Sequence, residues 1–115
     1  MKTGFGWIEI GGIRYECDVV IHTDGSVSKR KKKLSKGLKG EYGHTPLSAA
    51  ELDLLDAERP ESVFIGTGQY GDLPVTPDAG DILSRYGTVT APTPELLARI
   101  DKEEGRFVAI LHVTC

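Results

Sequence analysis

Cysteine is scarce in this chain, with only Cys17 and Cys115 among 115 residues. The two lie far apart and match no metal-ligand spacing. This argues against a disulfide-stapled secreted scaffold and a metal centre, and makes a reducing cytoplasm the expected compartment. No apolar run approaches the roughly 18 residues that cross a bilayer, and Met1-Lys2-Thr3-Gly4 leads into strand-like residues rather than a leader, so neither membrane nor export is expected. Aromatic residues amount to 7%, and none stands inside the one basic run to stack on bases. There is no internal repeat and no linker long enough to divide the chain. What is present suffices for one core: 39% apolar and 27% charged residues is ordinary for a globular protein. A chain of this length buries about two thirds of its unfolded surface, so residues 1–115 are expected to form a single domain.

The net charge of −3 conceals an asymmetry. Residues 1–40 carry nine basic and four acidic side chains, residues 41–115 five and thirteen. Most of the positive excess lies in Lys29-Arg30-Lys31-Lys32-Lys33, with Lys36 and Lys39 close behind. Strand alternation would throw these side chains onto both faces, which places the run at a sheet edge or in a loop. There it serves either as a solvated guard against strand-to-strand pairing or as a patch for an anionic partner. The acidic whole-chain balance argues against nucleic acid.

Residues 5–10 and 13–17 read as strands joined by the two-residue turn Gly11-Gly12, and 19–23 and 26–28 as a second pair turning at Asp24-Gly25, which makes the N-terminal third a β-meander. Residues 34–46 read as a loop. Ser48-x-x-Glu51 is a capping box that opens a helix closed by Pro60. Ser62-Val63-Phe64-Ile65 is a short apolar strand. Thr76-Pro77 and Thr93-Pro94 each set a cap before a proline, opening helices that alternate with strands at 88–90 and 107–111. The second half is thus β-α-β-α-β, with 107–111 apolar enough for a central strand.

Phe5-Gly6-x-Ile8, the strand ending in Gly66-Thr67-Gly68, and Gly105-Arg106-Phe107-Val108-Ala109 resemble the adipogenesis-associated domain family. A mitochondrial relative in that family is an assembly factor for respiratory complex I. The resemblance implies an α/β fold in three layers: a central mixed β-sheet with helices packed on one face and an N-terminal β-meander plus helix on the other. It implies no reaction and no catalytic residue. Family roles lie in complex assembly or regulation. The basic run at 29–33 and the missing import leader set this chain apart from the mitochondrial branch.

Gly66-Thr67-Gly68-Gln69-Tyr70-Gly71 spells the G-x-G-x-x-G dinucleotide fingerprint, but the next helix opens about ten residues late and no ribose-binding acid ends the following strand. Two alternatives stand: an anion nest in which Thr67, Gln69, Tyr70 and Asp72 add side-chain donors or polar groups, or a turn that needs glycine only for its φ angles. His22, His44 and His112 are scattered, and His112-x-x-Cys115 would chelate only if the chain left its strand. No nucleophile, base and orienting acid stand together in the sequence, and no cofactor is expected. The sequence therefore predicts a binding or assembly module rather than an enzyme, engaging a protein partner or a small anion near Gly66–Gly71. The alternatives are an enzyme or carrier of a phosphorylated small molecule at that turn, and weak nucleic-acid binding through Lys29–Lys33. The oligomeric state is left open.

Overall fold

The computed structural model describes residues 1–115. Strands β1 (Lys2–Gly4), β2 (Trp7–Ile10) and β3 (Ile13–Tyr15) form a small antiparallel sheet. Gly11 and Gly12, at φ 59° and 80°, make the tight turn that sets Ile10 opposite Ile13. A second hairpin, β4 (Val19–Ile21) and β5 (Val27–Lys29), turns through Gly25. The expected meander is therefore divided. Its second hairpin leaves the first and enters a five-stranded sheet, because Val19, Val20 and Ile21 are all buried and need cover on both faces, whereas β3 is open to solvent.

The segment expected to be a loop contains two 3-10 turns, Lys32–Leu34 and Lys36–Leu38, and a single turn α1 (Lys39–Tyr42) closed by Gly43 at φ 76°. The capping box is also a correction. Ser48 makes no cap bond, and the expected helix is broken into a 3-10 turn at Ala49–Glu51 and α2 (Asp53–Glu58). Ser48 and Glu51 are buried and bond to other side chains instead. Then follow β6 (Ser62–Thr67), α3 (Pro77–Leu83), β7 (Gly87–Ala91), α4 (Thr93–Asp101) and β8 (Phe107–His112). Thr76 caps α3 as expected, accepting from the Ala79 amide at 3.3 Å. Thr93 does not repeat the device: Pro92 takes the cap position of α4, and the Thr93 hydroxyl is buried in tertiary bonds.

The sheet order is β5-β4-β8-β6-β7, with β6 parallel to β7 and β8, and β4 antiparallel to β5 and β8. The chain moves outward from β6 to β7 and then back past β6 to β8. Crossovers of one hand then place the two helices on opposite faces. Accordingly, Leu52, Leu55, Ala79 and Leu83 pack with Val63, Ile65, Val108 and Ile110 on one face. On the other, Leu96, Leu97 and Ile100 of α4 join Ile8, Phe64, Ala109 and Leu111. The three-layer mixed α/β architecture is that expected, with α4 as the helix beside the meander. No helix is long and apolar enough to cross a membrane.

Candidate functional site

The glycine turn is built around its own chain. Gly66 lies within β6, and Thr67 ends that strand. The Gly68 amide donates to Thr93 Oγ1 at 3.1 Å and the Gln69 amide to the Thr114 carbonyl at 2.7 Å; the Tyr70 and Asp72 amides reach the Cys115 backbone oxygen at 3.2 and 3.0 Å. Four of the amides that would form an anion nest are therefore already paired. Gln69 Nε2 donates to Thr3 Oγ1 at 3.0 Å, which ties the turn to β1. Gly68 at φ 101° and Gly71 at φ 77° supply the backbone geometry that only glycine adopts freely. Tyr70 is 72% exposed and leans on Phe5, itself 57% exposed, with ring centroids 6.1 Å apart.

The basic run separates into two kinds of residue. Arg30 is 3% exposed and does not belong to the surface patch in which the sequence placed it. Its Nε and Nη2 form a two-pronged bond with the Glu51 carboxylate at 2.7 and 2.9 Å, while Nη1 donates to Asp18 Oδ2 at 3.0 Å and Nη2 to the Pro46 carbonyl at 2.9 Å. The planar guanidinium fork suits this arrangement and an ammonium does not. Ser35 Oγ donates to Glu51 Oε2 at 2.6 Å and contacts Ser48 Oγ at the same distance. Asp18 also receives the Val113 amide at 2.9 Å and His112 Nδ1 at 2.7 Å. Burial pushes the Asp18 carboxyl up, but the bond and charge interaction with His112, the Val113 amide and Lys32 outweigh it and hold it at about 2. Ionised at neutral pH, the carboxylate can only accept, so the proton in the His112 contact sits on Nδ1.

Above this network lies a cavity of about 460 Å³ walled by Lys29, Lys31, Lys32, Lys33 and Lys36 around Arg30, with no apolar side chain in its lining. Lys29 ends the edge strand β5, Lys31 stands just before the first 3-10 turn, and Lys32, Lys33 and Lys36 lie on the two turns. Lys32 Nζ reaches to 3.5 Å from Asp18 Oδ2. Six cations against the carboxylates of Asp18 and Glu51 leave four positive charges around this space.

The sequence marked neither Asp18 nor Glu51 as a site residue, and it left His22 and His112 as scattered histidines. Two signals pointed to the network: an aspartate directly before the apolar run Val19-Val20-Ile21, and a lone arginine among lysines. His22 is also gathered in, lying 2.6 Å from Ser28 Oγ and 2.6 Å from Glu58 Oε2.

No family model matches the chain, and no curated protein matches it. Among solved structures, the conserved hypothetical protein PH1505 from Pyrococcus horikoshii OT3 superposes with a TM-score of 0.87 at 30% identity, over 100% of this chain and 98% of that one. MT938 superposes with a TM-score of 0.82 at 34% identity, over 100% and 96%. XCC1710 from Xanthomonas campestris, at 16% identity and a TM-score of 0.67 over 98% of this chain and 82% of that one, shares the fold alone. Identities of 30% and 34% along essentially whole chains show that this chain belongs to the same family of small α/β proteins as PH1505 and MT938.

Proposed function

We propose that the chain is a binding module that takes a small, multiply charged anion, such as a polyphosphate-like or phosphorylated group, in the lysine bay above Arg30. The observation that carries this reading is the all-cationic lining of that cavity on a protein whose net charge is −3. Lysine ammoniums are point charges on flexible stems, so they select for charge more than for shape. Binding is then screened by salt. The bay takes precedence over the glycine turn because the turn amides already have partners within the chain. The test is titration calorimetry with inorganic tripolyphosphate at low and at physiological salt. Saturable binding that weakens with salt and disappears in a Lys31→Ser, Lys32→Ser, Lys33→Ser variant is expected. Absence of heat at low salt overturns the proposal.

The exposed Phe5–Tyr70 pair favours a second reading, in which the glycine-turn face contacts a protein partner. Tyr70→Ser would then release a co-purifying protein that the lysine variant retains. Either reading accords with assembly or regulatory roles of the adipogenesis-associated domain family, and membership of that family is part of the proposal.

A further inference from the structure

We infer that Ser28, His22 and Glu58 form a hydrolytic centre for short acyl esters at the open edge of the central sheet. The β4–β5 ladder sets Val20 opposite Ser28, and the His22 amide donates to the Ser26 carbonyl at 2.8 Å. Alternation then projects His22, Ser28 and Arg30 on the face that carries Val20, the face covered by α2. Glu58 ends α2 beside them, and the Arg106 guanidinium bonds to its carbonyl.

One oxygen of Glu58 is fixed by the chain: Oε1 accepts from the Thr23 amide at 2.8 Å and from its hydroxyl at 3.1 Å. The other, Oε2, faces His22 Nδ1 at 2.6 Å. Burial pushes the Glu58 carboxyl up, but the Thr23 and His22 bonds outweigh it and hold it below its ordinary value. An ionised carboxylate only accepts, so Nδ1 carries the proton and, in the neutral ring, Nε2 accepts from the Ser28 hydroxyl at 2.6 Å. This is the nucleophile, base and orienting acid of serine hydrolysis, recognised by geometry rather than sequence order. A purely structural clasp of the hairpin to α2 needs only the Thr23 and His22 contacts with Glu58. The Ser28 bond to the far nitrogen lies within the hairpin and is not part of that clasp.

Ser28 and His22 also stand in the wall of a cavity of about 210 Å³ that is only in part apolar: five of its 12 lining residues are hydrophobic, Val20, Leu34 and Leu54 among them, and Glu51 and Asp53 are among the charged ones. That is roughly seven water volumes, room for a short acyl group and too little for a drug-sized ligand. Because the amides of His22 and Arg30 lie within the β4–β5 ladder, the Lys29 amide turns outward from the edge strand. It is the N–H of the residue after the nucleophile, a position that serves oxyanions in other serine hydrolases.

The chemistry needs water and no other co-reactant. Ser28 Oγ bonds to the ester carbonyl carbon as His22 Nε2 takes its proton. The carbon–oxygen bond to the leaving alcohol breaks, and the alcohol oxygen receives that proton. Water then attacks the acyl-Ser28 carbon while giving a proton to His22. The bond to Oγ breaks and Oγ recovers the proton, so that ester and water become acid and alcohol.

The test treats the full chain with p-nitrophenyl acetate and, separately, with a fluorophosphonate, followed by intact mass and peptide mapping. One adduct per chain on Ser28 is expected, absent in Ser28→Ala, with ester turnover falling at least ~100-fold in Ser28→Ala and in Glu58→Gln. Ser28 is exposed, so Ser28→Ala should retain the wild-type circular dichroism, and Ser28→Cys should still form the acyl-enzyme. An unlabelled Ser28 in the wild type, or ester hydrolysis that persists in Ser28→Ala through His22 alone, overturns the inference.

Discussion

Arg30 and Asp18 are joined twice, through the Arg30 amide on the Asp18 carbonyl at 2.9 Å and through Nη1 on Asp18 Oδ2 at 3.0 Å. The backbone bond extends the β4–β5 ladder by one pair, and the side-chain bond turns its end into an anchor. His112, which ends β8, and Val113 after it bond to the same carboxylate, and Glu51 of the Ala49–Glu51 turn bonds to the same guanidinium. The lysine run therefore leaves the sheet from a fixed point.

Arg30→Ala should destabilise the protein by about 3–5 kcal/mol, because it leaves the buried Glu51 carboxylate without its cation and removes one of the partners of buried Asp18. Lys33→Ala, on the exposed side of the same run, should change stability by less than about 0.5 kcal/mol. Urea midpoints measured on the two variants check the contrast, and similar midpoints would refute the division of the run into anchor and patch.

Asp18 should make the protein sensitive to strong acid. Its carboxyl is held at about 2 against an ordinary 3.8. Because the folded value is the lower one, its contribution is fully present above the unfolded value and is lost as pH falls through the folded one. The amount is about 2 kcal/mol. Unfolding free energy plotted against pH should be less steep between about 4 and 2 for Asp18→Asn than for the wild type. Parallel curves would show that Asp18 is not the group responsible.

Gly68 and Gly25 both have positive φ, 101° and 85°, yet their substitutions should differ. A Cβ on Gly25 meets nothing within 4 Å, so Gly25→Ala should cost about 1–2 kcal/mol of backbone strain. On Gly68 it would overlap the Cys115 carbonyl group and approach His112 Cδ2 to 2.7 Å. Gly68→Ala should therefore add about 1–3 kcal/mol to that strain. Thermal melting of the two variants separates conformational need from close approach.

The turns were legible because their chemistry lies between sequence neighbours. Gly11-Gly12, Asp24-Gly25 and Thr76-Pro77 set backbone angles or caps that distant residues did not alter. Ser48-x-x-Glu51 and Thr93-Pro94 carry equally good local signals and do mark where helical turns begin, but neither hydroxyl makes the cap bond. In each, a tertiary partner took the side chain: Arg30 and Ser35 hold Glu51, while Thr93 Oγ1 donates to the His112 carbonyl at 2.6 Å and accepts from Gly68. The glycine fingerprint was visible as a string, but the pairing of its amides with Thr93, Thr114 and Cys115 was not.

By itself the sequence determined the alternation of strands and helices, the apolar β8 segment, the basic run and the glycine turn, because periodicity, capping and turn chemistry act over a few residues. Only the tertiary structure decided that Arg30 is an anchor while its lysine neighbours face solvent. It alone decided that the glycine turn closes on Thr114 and Cys115, and that Ser28, His22 and Glu58 share one chain of hydrogen bonds. Those relations join residues up to 95 positions apart, as from Asp18 to Val113. They depend on the order in which strands enter the sheet, which no local pattern encodes.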